Sequence, residues 1–389
     1  MKKIINILTI IGLVLGIICG LVFNSFSLSL EIIGTWYIKI LKLFITPVIF
    51  TSIAYTIYET SKKKNGLIVK SILLFSLMYT LTFLLTSVIV LIINPSKGFI
   101  FEEVAWTGST TTFSLTSMLT SLLPTNLSDI FVNPKVFFVI LVAYLFGKVG
   151  SYIKGSEKIF EGINKVKAFV SKMLEYFMYV TPIATFALMS VTVAKYGSTL
   201  LGVGLKYILT AYVCGIAVLI FVMILPVYFI KKIKPFEYIK KTSKVWLMTL
   251  STCSSAATLP LTVKVCKEEF GVNPEITDVV VPLGCTIHMC GGAVSFALLG
   301  LFCSKLYGVE ISLSMYLLML VSSLLINTAA PGIPGGGIVI GATYLQLLSI
   351  PLGYIGFYSG IYKFLDMCYT TLNVTGDVSA NIILSDKKG

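Results

Sequence analysis

Ser251-Thr-Cys-Ser-Ser-Ala-Ala-Thr258-Leu-Pro260 lies at the centre of an apolar run from Trp246 to Val265 that is long enough to cross a bilayer. A straight helix facing lipid would not carry a knot of hydroxyls closed by a proline. At membrane depth, backbone leaves the helical path only where it is buried in protein or lines a wet cavity. The run therefore reads as two half-helices meeting at a serine-rich tip, entering from the cytoplasmic side because Lys240, Lys241 and Lys244 precede it. Small residues gluing one helix to another would be the blander reading. A counterpart lies at 312–349, where Asn327-Thr-Ala-Ala-Pro331-Gly-Ile-Pro334-Gly-Gly-Gly337 brings two prolines and four glycines and ends any helix. Between the two runs, a span over 276–304 holds Pro282-Leu-Gly284-Cys-Thr-Ile-His288-Met-Cys290-Gly-Gly292 at its middle, which favours local unwinding. Two broken segments, each followed by a helix with a polar centre, make an inverted repeat, the arrangement that builds midplane substrate and ion sites.

Outward from this core, the composition sets the class. The 389 residues are 56% hydrophobic and only 12% charged, which excludes an ordinary soluble domain and indicates an all-α multi-spanning membrane protein. Spans are expected at about 5–24, 33–58, 67–94, 131–150, 170–195 and 204–230, each near the roughly 20 residues that hydrocarbon requires. The first is read as a retained span rather than a cleaved signal, because no small-residue cleavage site follows it. The net charge of +13 does not imply nucleic acid, since the lysines sit in short clusters between apolar runs. Placing Lys2 and Lys3 inside puts Lys62–Lys64, Lys148 to Lys172 and Lys231 to Lys244 in cytoplasmic loops, and Lys387 and Lys388 bring the C-terminus to the same side.

The last apolar segment, 352–385, carries Lys363, Asp366, Thr370, Asn373 and Asp377. At about 100° per residue the last four share one narrow arc with Lys363 near its edge. Ionisable groups at membrane depth are costly and mark functional sites. A structural ion pair with Lys363 would account for only one of the two aspartates. The eight cysteines lie mostly inside apolar segments, and the longest external loop, 95–130, has none, so no structural disulfide and no bound zinc or iron are expected. A thiol enzyme built on Cys290 and His288 is disfavoured, because positions i and i+2 lie on different helix faces unless the segment unwinds, and no third orienting residue is evident. A channel-like pore or a sensor-like homologue is the remaining alternative.

These motifs resemble the dicarboxylate/amino acid:cation symporter family, the bacterial and archaeal relatives of the glutamate transporters, over nearly the whole chain. Thr252-Cys-Ser-Ser-Ala-Ala-Thr-Leu-Pro260 is similar to the family's TSSSAATLP. Gly332-Ile-Pro-Gly-Gly-Gly337 is similar to its second hairpin tip, Asp366 to Asp377 to its DxxRTxxNVxGD, and Pro124-Thr-Asn126 to its PTN. The resemblance implies a glutamate-transporter-like fold of eight spans plus two re-entrant helical hairpins, with no enzyme activity. It implies a homotrimer in the cell (inner) membrane with cytoplasmic termini, in which a transport domain moves as an elevator against a scaffold. Residues 1–235 would hold the scaffold spans and part of the transport domain. Residues 236–389 would hold the transport core, with hairpins 236–266 and 312–349 and spans 276–304 and 352–385. It further implies that Ser254, Ser255, Gly332, Gly337 and the tip backbone bind a substrate α-carboxylate. Asp366, beside Thr370, would hold the α-amino group, and Asn373 would add a contact. One sodium site would use backbone oxygens of Gly284, His288 and Asn373 with the Asp377 carboxylate, and another Met289 with carbonyls around Asn327, Thr328 and Ala330, hard oxygen ligands suited to Na+.

The departures from the family pattern bear on the substrate. Tyr369 stands where acidic-substrate members carry the arginine that clamps a side-chain carboxylate, and no arginine occurs anywhere in the chain. Gly292 replaces the threonine that helps hold the same carboxylate, and is expected to leave room without a hydroxyl. The expected substrate is a neutral amino acid, serine- or threonine-like or bulkier such as cystine, carried in symport with sodium. His288-Met-Cys290 in place of the family's Asn-Met-Asp removes a third, side-chain-built sodium site. His288, the only histidine, raises proton coupling, with an amino-acid or dicarboxylate substrate, as the alternative.

Overall fold

The computed structural model describes residues 2–62, 66–97, 136–196, 199–327 and 336–385. Within them every regular element is a helix, the form in which an apolar segment satisfies its own backbone. Lys2–Val22, the short Asn24–Ser29, Glu31–Lys62, Gly66–Ile93 and Val136–Gly150 come first. Gly12, Gly16 and Gly20, one turn apart, let the first helix close on the backbone of Thr181–Tyr196: a Cβ on Gly16 or Gly20 would stand 2.7 Å from the carbonyl of Phe186 or Ser190. Three segments are each long and apolar enough to cross a membrane among the described residues: Gly66–Ile93, Gly202–Lys231 and Pro274–Leu306.

The expected span at 170–195 is not one straight helix. Glu157–Phe177 ends in a 3-10 turn at Met178–Val180, and Thr181–Tyr196 sets off at 55° to it. Pro182 sits in the first turn of the new helix, the position where a proline costs no backbone hydrogen bond. The earlier helix carries Glu157, Lys158, Glu161, Lys165, Lys167, Lys172 and Glu175, so the lysine-rich region is largely a charged helix rather than a plain loop. Lys62 pairs with Glu157 at its start.

The C-terminal half contains the breaks. Pro235–Thr252 and Ser255–Glu268 meet at Cys253–Ser254. Cys253 adopts left-handed backbone angles (φ 48°), and the Ser254 side chain caps the second helix by accepting from the Ala257 N–H at 3.2 Å. Pro260 does not close the first arm but lies inside the second helix. Pro274–Ile287 and Cys290–Leu306 are separated at His288 and Met289, while Pro282 stays helical. Leu313–Asn327 and Gly336–Leu347 flank residues 328–335, which lie outside the described residues, as do Pro124-Thr-Asn126 and most of 95–130. Gly353–Leu384 closes the chain as one 32-residue helix.

Two of these helices form the centre. Fifteen of the 17 residues of Cys290–Leu306 are buried, so the helix lies inside protein on all sides. Gly353–Leu384 is buried along nearly its whole length. One of its stripes, Thr371, Thr375 and Ser379, docks the first arm through the Thr249 hydroxyl (2.8 Å), Trp246 Nε1 (2.8 Å) and the Tyr238 hydroxyl (2.7 Å). That docking leaves the arc from Asp366 to Asp377 to face the broken segments.

Candidate substrate site

A cavity of about 60 Å³ opens where the broken helices meet Gly353–Leu384. Cys253 and Ser255 line it from the serine tip, Met289, Gly292, Ser295 and Phe296 from the unwound span, and Asn327, Gly337 and Ile340 from the second broken segment. Tyr362, Asp366, Tyr369, Thr370 and Asn373 line it from the final helix. Ser255, Gly292, Gly337, Asp366, Tyr369, Thr370 and Asn373, singled out in the sequence, thus face one space. Ser254 does not line it and acts as the helix cap. Gly332, Thr328 and Ala330 fall among residues that are not described. Ser295 and Tyr362 escaped the sequence reading, although Ser295 is one turn beyond Gly292 and Tyr362 one turn before Asp366, which is the signal that would have found them.

Asp366 carries the only charge among the described lining residues. It is 7% exposed and accepts from the Thr370 hydroxyl at 3.0 Å. The buried Lys363 does not pair with it. Its Nζ donates to Cys253 Sγ at 2.8 Å and ties the serine tip to the final helix. The Asn373 Oδ1 accepts from the Gly291 N–H at 2.8 Å, so its amide holds the unwound span rather than pointing freely into the cavity. The Tyr369 hydroxyl makes no hydrogen bond of ordinary length among the described residues, and Ser295, its polar neighbour, is bonded to Tyr358 at 2.9 Å.

Gly292 does not leave the room expected of it. A Cβ there would overlap Asn327 Oδ1, so the Asn327 side chain occupies the volume that the missing side chain vacates.

Below the cavity, His288 Nδ1 lies 3.0 Å from Asp377 Oδ1 and His288 Nε2 3.0 Å from Cys290 Sγ, with the ring stacked on Phe75 at 4.4 Å. The unwinding at His288–Met289 brings Cys290 and His288 together despite their i, i+2 spacing, and Asp377 supplies the orienting carboxylate that the sequence left unseen. The order of groups matches a nucleophile, base and orienter. All three are buried, however, and none lines the cavity. Gly284 presses its Cα face on Asp377, where a Cβ would overlap Oδ1. The Gly284 carbonyl accepts from the His288 N–H at 2.8 Å. Among the described residues no group of three His, Cys, Asp or Glu side chains could hold a metal, so a cation here would rely on backbone oxygens and Asp377.

Comparison with known proteins identifies the family of the chain. The model of the sodium:dicarboxylate symporter family matches residues 5–387. A proton/glutamate-aspartate symporter of Bacillus subtilis (strain 168) is 26% identical, over 99% of this chain and 95% of the relative. A proton/sodium-glutamate symport protein of Geobacillus stearothermophilus is 26% identical over 97% of this chain and 93% of its own. A C4-dicarboxylate transport protein of Deinococcus deserti is 27% identical, over 97% and 87%. With its buried polar arc, broken helices and a family match over almost its full length, the chain belongs to the sodium:dicarboxylate symporter family: it is a membrane-embedded, cation-coupled symporter and not an enzyme.

Proposed function

We propose that the chain carries a neutral amino acid in symport with sodium. The observation behind the substrate class is the charge of the cavity: one carboxylate, Asp366, and no cation among its described walls. A zwitterion suits that field. Its amine meets Asp366, and its carboxylate meets the N-terminus of Ser255–Glu268, where unpaired N–H groups and the helix dipole favour an anion. A second substrate carboxylate would find no guanidinium, only Tyr369 and Asn327, and would have to be buried unpaired. The glutamate and C4-dicarboxylate named for the relatives are therefore not carried over.

Sodium would be held by backbone oxygens of Gly284, His288 and Asn373 with Asp377, and a second ion by Met289 and the carbonyls around Asn327, Thr328 and Ala330. Proton coupling is the competing reading, favoured by the proton-coupled relatives. Residues 236–389 would form the moving transport core and residues 1–235 the scaffold with part of that core. The assembly would be a homotrimer in the cell membrane with both termini cytoplasmic. A thermal-shift panel of the amino acids, cystine and succinate, run with and without sodium at two pH values, tests the reading, because a ligand selective for the folded state raises its stability by about 2.7 kcal/mol at 100 times its Kd. Stabilisation by serine or threonine that grows with sodium is expected. Stabilisation by aspartate or succinate alone contradicts the substrate class, and dependence on pH without sodium contradicts the ion.

A further inference from the structure

Asn327 is 1% exposed, and neither its Nδ2 nor its Oδ1 has a hydrogen-bond partner among the described residues. Nearly all buried polar groups are paired, and an unpaired one is destabilising. Asn327 lines the cavity, its Oδ1 in the space over Gly292, and Tyr369, whose hydroxyl has no hydrogen bond of ordinary length among the described residues, lines the same cavity. An amide offers both a donor and an acceptor and no charge. We infer that Asn327 reads the substrate's side chain, and that with Tyr369 it selects an amino acid whose side chain bears an uncharged hydrogen-bonding group such as a hydroxyl. The inference rests on the neutral-amino-acid reading above and narrows it.

The chemistry follows from what the ligand completes. A hydroxyl donates to Oδ1 or accepts from Nδ2, and an apolar side chain of the same shape leaves both atoms unpaired. A site built to pair with a hydroxyl rejects the analogue lacking it far more strongly than an apolar pocket rejects an added methyl. Threonine and valine are close to isosteric, as are serine and alanine apart from one oxygen, so the two pairs isolate that group. Because the amide has no hydrogen-bond partner among the described residues, Asn327→Leu removes its polar atoms without breaking a bond to any of them. Replacing an unpaired polar group by an apolar one of similar shape is neutral or stabilising.

The test measures threonine, valine, serine and alanine binding by calorimetry on the purified full-length protein. Wild type is expected to bind threonine at least about tenfold more tightly than valine, as one well-placed hydrogen bond provides. Asn327→Leu should bring that ratio to near one, with the melting temperature of the ligand-free protein unchanged or raised. Gly292→Ala should also reduce the ratio, since its methyl displaces the flexible end of Asn327. An unchanged ratio in both variants overturns the inference. So does a fall in the ligand-free melting temperature of Asn327→Leu, which would make the amide structural. Equal wild-type affinity for threonine and valine overturns the inference alone, whereas binding of succinate or aspartate with none of the four overturns the neutral-amino-acid reading with it.

Discussion

Asp366→Asn is expected to abolish uptake of every α-amino substrate while the protein still folds. Asp366 is the one charge on the described cavity wall, and it is held in place by the Thr370 hydroxyl at 3.0 Å. Asparagine keeps the shape and an oxygen for Thr370 to donate to. What it removes is the charge opposite a desolvated ammonium, and breaking a buried charge pair by losing one member costs about 3–5 kcal/mol, roughly two to four orders of magnitude in affinity. Calorimetric titration beside a melting curve reads both halves of the statement. Retained affinity would show that the amine is bound elsewhere.

Gly291→Ala has a comparably large effect by a different route. The Gly291 N–H donates to Asn373, and its Cα face lies directly on the carbonyl of Tyr369, which a Cβ would overlap. The obstruction is main chain in the middle of a buried 32-residue helix, so no side-chain rotation relieves it. Overpacking of this kind costs about 1–3 kcal/mol. Here it also drives the unwound span away from the final helix and widens the cavity between them. A lowered melting temperature together with lost substrate binding is expected. Gly292→Ala, one residue on, meets only the movable end of Asn327 and should melt close to wild type, which separates the two positions by measurement.

Much of this arrangement is readable from the sequence, because its signals are local. Prolines, glycines and hydroxyls inside apolar runs mark broken helices, and the one-turn spacing of Asp366, Thr370 and Asn373 puts them on one wall. The finer positions of the breaks are not local. Pro260 and Pro282 draw attention, yet both are carried within helices, and the breaks fall at Cys253–Ser254 and His288–Met289, where the Cys253 and His288 side chains meet Lys363 and Asp377 of the final helix. Charge likewise suggested Lys363 with Asp366, while the structure directs Lys363 to a cysteine 110 positions away. Gly292 read as vacant space because nothing in a helix register says that Asn327, on another segment, fills it. The bend at Met178–Val180 was hidden because apolar residues continue through it.

The central claim is that a cavity whose described lining residues include one carboxylate and no cation carries a zwitterion that has no second charge. Uptake of labelled threonine into proteoliposomes under an imposed inward sodium gradient, with unlabelled serine, aspartate and succinate as competitors, tests it most directly. The account predicts sodium-driven accumulation that serine suppresses and that aspartate and succinate leave unchanged. Accumulation of labelled aspartate or succinate, with no uptake of threonine, would contradict it.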